Sequence, residues 1–218
     1  MTIKRTFLAL AVMAVFLLPL MAQAVTIIGT ETLTLGVPND DLASCPGPYA
    51  TVGVTLFDND TAQFVFTALD SYAFGATKAI GLNLNGPFTA PATVSTTGGG
   101  APTITLVPPP PHSGQHQMDG FGNMNLVYKS PNFSPSGQFT GATFTVAGNS
   151  SWTSLANLFA ASLGLDAQYF AAAHIRCADG DTGFAGNGQG NQVPVPPAVY
   201  LLGSGLVGMA WLRWRRKS

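Results

Sequence analysis

Ala50-Thr51-Val52-Gly53-Val54-Thr55-Leu56-Phe57-Asp58-Asn59-Asp60-Thr61-Ala62-Gln63-Phe64-Val65-Phe66 is the stretch that decides the fold class. Ala50, Val52, Val54 and Leu56 fall on one face of an extended chain. A period of two is the side-chain period of a strand, because successive side chains leave opposite faces of a pleated backbone. Phe64 and Phe66 share one face of the next strand, with Val65 and Leu69 opposite. Between them, Asp58-Asn59-Asp60 is turn chemistry: short polar side chains that bond to nearby backbone. The whole reads as a β-hairpin.

The pattern continues outward. Ile80, Leu82 and Leu84 alternate with Gly81, Asn83 and Asn85, and further strands are predicted over 103–107, 123–129 and 139–146. Residues 95–102 and 108–120 read as longer loops, and Pro108 to Pro111 force the second into an extended or polyproline form. Short apolar stretches separated by turn clusters predict a mainly β ectodomain, a β-sandwich or jelly roll, over residues 25–177. One short helix is expected over 151–163, where Trp152, Leu155, Leu158, Phe159 and Leu163 have helical spacing and Ser151 or Ser154 can cap. A strand over 169–175 then rejoins the sheet, and the Gly/Asn/Gln-rich residues 178–192 read as a flexible linker.

Both ends carry targeting signals. Residues 1–24 read as a secretory signal peptide. Lys4 and Arg5 precede an apolar run over 7–20, and Ala22-Gln23-Ala24 supplies a small-x-small cleavage site before Val25. Residues 193–218 read as a membrane tail. No charge occurs from Val193 to Leu212, and crossing the hydrocarbon core takes roughly 17–25 apolar residues of helix. The prolines confine the helix to about residues 197–214, with Pro197 in its first turn. Tyr200, Trp211 and Trp214 stand where interfacial aromatics belong. Arg213, Arg215, Arg216 and Lys217 form a basic stop-transfer end that stays in the cytoplasm by the positive-inside rule. Ser204 and Gly208 have small-xxx-small spacing, a possible close-contact face.

Charge divides the chain the same way. Residues 25–190 hold all ten acids but only Lys78, Lys129 and Arg176 as bases, a net of −7 within a precursor that sums to −1. Such a domain disfavours nucleic acid and anionic headgroups as partners. Cys45 and Cys177 are the only cysteines, and an oxidising exterior predicts that they pair.

Catalytic signals are sparse. His112 and His116 lie four apart in a Pro/Gly loop, with Asp119 as a third conceivable metal ligand, but two exposed loop histidines is the simpler reading. His174, in an apolar strand, reads as a sheet residue and not as a base. Asp40-Asp41, Asp58-Asn59-Asp60 and Asp179-Gly180-Asp181 are oxygen-rich turns. Asp58, Asp60, Asp179 and Asp181 are therefore weak calcium candidates, since calcium takes six to eight oxygens and none of these runs is an EF-hand loop. No nucleophile elbow, zinc-protease motif or phosphate-binding loop occurs. The sequence predicts a protein without enzymatic activity and without a cofactor. Two alternatives remain: a carbohydrate-binding module for exopolysaccharide, whose Tyr49, Tyr72 or Tyr128 stacks on sugar rings, and, remotely, a polysaccharide hydrolase with paired carboxylates.

The tail carries a family resemblance. Val193-Pro194-Val195-Pro196-Pro197-Ala198, the Leu-Leu-Gly-Ser-Gly-Leu-Val-Gly core and the Arg-Trp-Arg-Arg-Lys end resemble the PEP-CTERM sorting domain, closest to its VPLPA-type variant. The Glu of Pro-Glu-Pro is Val195 here. The resemblance implies recognition and cleavage near the proline motif by an exosortase, a multi-spanning membrane enzyme of Gram-negative bacteria that make exopolysaccharide. It implies a protein first anchored in the inner membrane with its ectodomain outside, then passed to the cell surface or extracellular matrix. Tyr169 to Ile175 followed by Thr182-Gly183-Phe184 resembles, more weakly, a β-rich ectodomain found beside such tails and implies no activity.

Overall fold

The computed structural model describes residues 25–107, 116–148, 152–160 and 169–188. Its strands, in chain order, are β1 (Ile27–Pro38), β2 (Ala50–Phe57), β3 (Thr61–Ala68), β4 (Ala73–Phe74), β5 (Ile80–Leu82), β6 (Phe88–Thr89), β7 (Thr93–Thr97), β8 (Ile104–Leu106), β9 (His116–Met118), β10 (Gly122–Met124), β11 (Leu126–Lys129), β12 (Gly141–Gly148), β13 (Ala171–Arg176) and β14 (Thr182–Asn187). The expectation of a mainly β domain therefore holds.

The strands pair antiparallel in the order β14-β1-β2-β3-β12-β7-β8-β11-β5-β13, and β13 pairs in turn with β14. The ladder thus closes on itself as a ten-strand barrel, where a two-sheet sandwich had been expected. Closure removes the free edges that an open sheet would leave. β4 and β6 add short pairings outside the ring, to β13 and β12.

Alternation fills the interior. Ala50, Val52, Val54 and Leu56 are buried, as are Phe64 and Phe66 opposite them on β3. Phe144 of β12 stacks on Phe64 at 5.5 Å and on Phe66 at 6.2 Å. The large rings need small residues across from them, and β13 supplies Ala171 and Ala173, both fully buried.

A second, smaller core lies outside the barrel. The β9–β10 hairpin lays Met118, Phe121 and Met124 over Val127 and Ala172, whose side chains leave the barrel's outer face. The hairpin approaches closely because the wall beneath it is glycine. A Cβ at Gly81 would stand 2.5 Å from Met118 Sδ, and one at Gly186 would run into the ring of Phe121.

Three expectations are corrected. The helix over 151–163 is, in its described part, one 3-10 turn at Leu155–Asn157 with a Ser154/Asn157 capping box. Its continuation is spent on pairing: Phe159 bridges Leu84, and the Ala160 N–H donates to the Asn83 carbonyl at 3.0 Å. The strand expected over 123–129 breaks at Asn125, whose side chain takes the place of a backbone partner for Leu84. Its Oδ1 accepts from the Leu84 N–H at 2.9 Å, and its Nδ2 donates to the Leu84 carbonyl at 2.6 Å. Most consequentially, the linker expected over 178–192 contains β14, which closes the barrel. Its glycines serve close packing: a Cβ at Gly183 would lie 3.0 Å from Leu42, and Gly186 sits beneath Phe121.

Candidate functional site: the cleft at the disulfide end

The two ends of the barrel differ. At one end the Asp58–Asp60 turn and Trp152 close the wall. Asp58 Oδ1 accepts from the Thr26 N–H at 3.0 Å, and Asp60 Oδ1 accepts from the Trp152 N–H at 3.0 Å. Trp152 in turn donates from Nε1 to the Asn85 carbonyl at 2.8 Å. The two calcium candidates at this end, Asp58 and Asp60, are thus engaged in tying chain segments together, and Asp60 takes a positive φ of 59°, as turn aspartates can.

The other end is tied by the Cys45–Cys177 disulfide, with a Cα–Cα distance of 6.5 Å, as the cysteine count predicted. Cys45 sits in the β1–β2 connection and Cys177 follows β13 directly. The β13–β14 turn is tight: the Gly180 N–H donates to the Cys177 carbonyl, Asp181 N–H donates to Asp179 Oδ1 at 3.1 Å, and Ser44 donates to Asp181 Oδ2 at 3.1 Å. The Cys45 and Cys177 sulfurs and an Asp179 oxygen lie within 4.8 Å of one another. The sulfurs are spent in the disulfide, though, and thiolates are what bind metals. Asp58/Asp60 and Asp179/Asp181 belong to opposite ends of the barrel and are not brought together.

The three tyrosines are not sugar platforms. Tyr49, Tyr72 and Tyr128 are 2%, 7% and 1% exposed. Their hydroxyls donate to backbone carbonyls of Cys45 (2.7 Å), Pro46 and Pro91 (2.7 Å) respectively. Burial raises the pKa of Tyr128, and burial together with the neighbouring Tyr72 raises that of Tyr49. These rings are core and, contrary to the expectation of stacking on sugars, present no open face.

The histidines separate. His112 lies outside the described residues. His116 is placed in β9, in register with Met124. Asp119, in the hairpin turn, accepts from Asn39 Nδ2 at 3.4 Å; the same amide reaches Asp41 Oδ2 at 3.5 Å. His174 is a sheet residue, as expected. Its ring stacks on Phe184 at 4.2 Å and meets Phe133 edge-on at 4.7 Å. Burial pushes its pKa down to about 4; the Asp41 charge works against that shift and the Lys78 charge adds to it. The imidazole is therefore neutral at pH 7.

What the sequence did not reveal is a cleft of about 410 Å³ beside the disulfide. It is lined by Asp70 and Ser71 from the β3–β4 turn, by Gln138 and Thr140 ahead of β12, and by Arg176 at the end of β13. A neighbouring recess of about 250 Å³ shares Ser71, Tyr72 and Cys177 with it and extends to Asp179. Both have rigid floors: Tyr72 packs edge-on against Tyr49 at 5.3 Å, and the disulfide lies beside it. One signal was available: Arg176 is one of only three bases in an acidic domain and adjoins a cysteine.

Among the described residues no helix is long and apolar enough to cross a membrane. The signal residues Ala22 and Ala24, the motif from Val193 to Ala198 and the basic end from Arg213 to Lys217 lie outside the described residues. No family model, no curated protein and no solved structure matches the chain.

Proposed function

We propose that this chain is an exported, non-enzymatic surface or extracellular-matrix protein, held at a membrane by a C-terminal sorting tail and released by processing of that tail. The observation that carries the reading is the Cys45–Cys177 bridge, buried at the seam of the barrel. Cross-links of this kind persist in oxidising compartments and are rare in the cytosol. A barrel closed by hydrogen bonds and stapled across its seam suits life outside the cell.

The two ends of the sequence supply the route. On this reading residues 1–24 direct export and are removed, and residues 193–218 act as a PEP-CTERM-like tail. Val193 to Ala198 form the recognition motif for an exosortase-type enzyme of a Gram-negative bacterium, and the basic end stays in the cytoplasm.

Intact-mass measurement of the mature protein, from otherwise identical strains with and without an exosortase, tests the proposal. The expected species begins at Val25 and lacks the basic end only where the enzyme is present. A mature chain ending at Ser218 in the strain that has the exosortase overturns the processing. Free thiols at Cys45 and Cys177 in cells quenched with alkylating agent overturn the export.

A further inference from the structure

We infer that the cleft at the disulfide end is a binding site for a carboxylate flanked by hydroxyl groups, with Arg176 as the carboxylate anchor. Arg176 is held rigidly. It is the last residue of β13, in register with Thr182 of β14 on one side and Ala73 of β4 on the other. Its Nη1 donates to the Phe133 carbonyl at 2.6 Å, which fixes the plane of the guanidinium.

That bond uses one of five N–H donors. Among the described residues no carboxylate forms an ion pair with Arg176, although it is only partly exposed. The domain has ten acids for three bases, so the missing partner does not reflect a shortage of carboxylates. Cations withdrawn from water are ordinarily paired. A guanidinium lining an open cleft, with donors that no other described residue accepts from, suits an anion, and its planar fork matches a carboxylate through two parallel bonds.

The rest of the lining narrows the class. Asp70, Ser71, Gln138 and Thr140 surround the cleft. The carboxylate of Asp70 can only accept hydrogen bonds, so it selects a ligand that offers O–H groups beside its charge. It also repels multiply charged anions, as does the domain's net charge of −7. The cleft volume, about 410 Å³, lies within the usual range of roughly 300–1,000 Å³ for small-molecule sites. Sugar acids have this chemistry, either as uronate units of a polymer or as free hydroxy acids. Backbone at the site is also unusual: Asp70 holds a positive φ of 47° in the turn that presents it.

Titration calorimetry on the detergent-solubilised full chain tests this. The probes are glucuronate, an oligoglucuronate, the neutral methyl glucoside and inorganic phosphate. The expected result is saturable binding of glucuronate, with the methyl glucoside and phosphate at least about tenfold weaker. Tighter binding of the oligomer marks a polymer as the source, and equal binding marks a free acid. Arg176→Gln is expected to weaken glucuronate at least about tenfold and to bring it level with the neutral sugar. Because Arg176→Gln also loses the Phe133 bond, Ser71→Ala serves as a second variant. Ser71 is exposed at the cleft, and its loss should weaken the neutral and acidic sugars by the same factor. Glucuronate no tighter than the neutral sugar, indifference to Arg176→Gln in a folded variant, or no binding up to about 50 mM overturns the assignment.

Discussion

Replacing Cys45 and Cys177 together by alanine should markedly lower the stability of this barrel. The bridge joins residues 132 apart in sequence. In the chain-entropy treatment, a loop of that length restricts the unfolded chain by about 5 kcal/mol, although measured values are often lower. For a domain of this size, each kcal/mol moves the thermal midpoint by about 2–4 °C, so the loss corresponds to about 10–20 °C. Alanine is the proper replacement because both sulfurs are buried, and a serine hydroxyl there would add a desolvation cost of its own. The structure also says where the loss begins. β1 pairs with β2 through eight residues but with β14 through only Leu35, Val37 and Pro38. The bridge stands beside that thin seam, so its removal should speed amide exchange in β14 before β2 or β3. Urea unfolding followed by fluorescence gives the free energy, and the slope should rise as the uncrosslinked chain exposes more surface. A loss under about 1 kcal/mol with an unchanged slope would refute the reasoning.

Three further outcomes follow from single side chains. Gly186→Ala should cost about 1–3 kcal/mol, because the new methyl meets the buried, T-packed ring of Phe121. Gly81→Ala should cost less, because its obstacle is a methionine side chain; parallel urea melts with the reverse ranking would contradict the packing. Trp152→Ala should cost about 3–5 kcal/mol, since Trp152 is 2% exposed and its indole donates to the Asn85 carbonyl at one end of the barrel; a thermal midpoint within about 3 °C of the parent would show that this end is not held by it. His174, pushed down to about 4, binds protons more readily in the unfolded chain, whose imidazole has a pKa of about 6.5. Its contribution is intact above the unfolded value and is lost as pH falls from about 6.5 toward 4, by about 1–2 kcal/mol after discounting for partial exposure. His174→Phe should flatten that part of the stability–pH curve, and a curve identical to the parent's would exclude the histidine as its source.

The β class was legible because β2 and β3 bury one face fully and leave the other half-buried, which writes a period of two directly into the sequence. Closure was not legible. β14 is short and rich in glycine, and glycine reads as flexibility when its neighbours are unknown. Here Gly183 lies against Leu42 and Gly186 against Phe121, so the same residues mark close approach. The helix expected after Ser151 failed for a related reason. Its apolar spacing was real, but the backbone around Phe159 and Ala160 had a better partner in Asn83 and Leu84. Tertiary pairing decides such short segments, and propensity is a weak prior against it.

The candidate site shows why function was harder to read than fold. Residue types that usually signal chemistry were the ones the barrel needed for itself. Asp58 and Asp60 hold chain segments together, three tyrosines hold backbone carbonyls, and His174 fills a slot between two phenylalanine rings. A polar side chain enlisted by the fold has its partners; one kept for a ligand has spare hydrogen-bonding capacity at a surface. Asn83 marks the opposite extreme, with both side-chain polar atoms buried and without a hydrogen-bond partner among the described residues. Arg176 combines spare donors, a rigid strand end and an open cleft. That conjunction, and not the residue type, singles it out. Whether a given Asp, Tyr or His was spent on the fold depends on neighbours that sequence spacing does not supply. The sorting signals proposed for the termini need no such neighbours, because a signal of that kind is read as linear sequence.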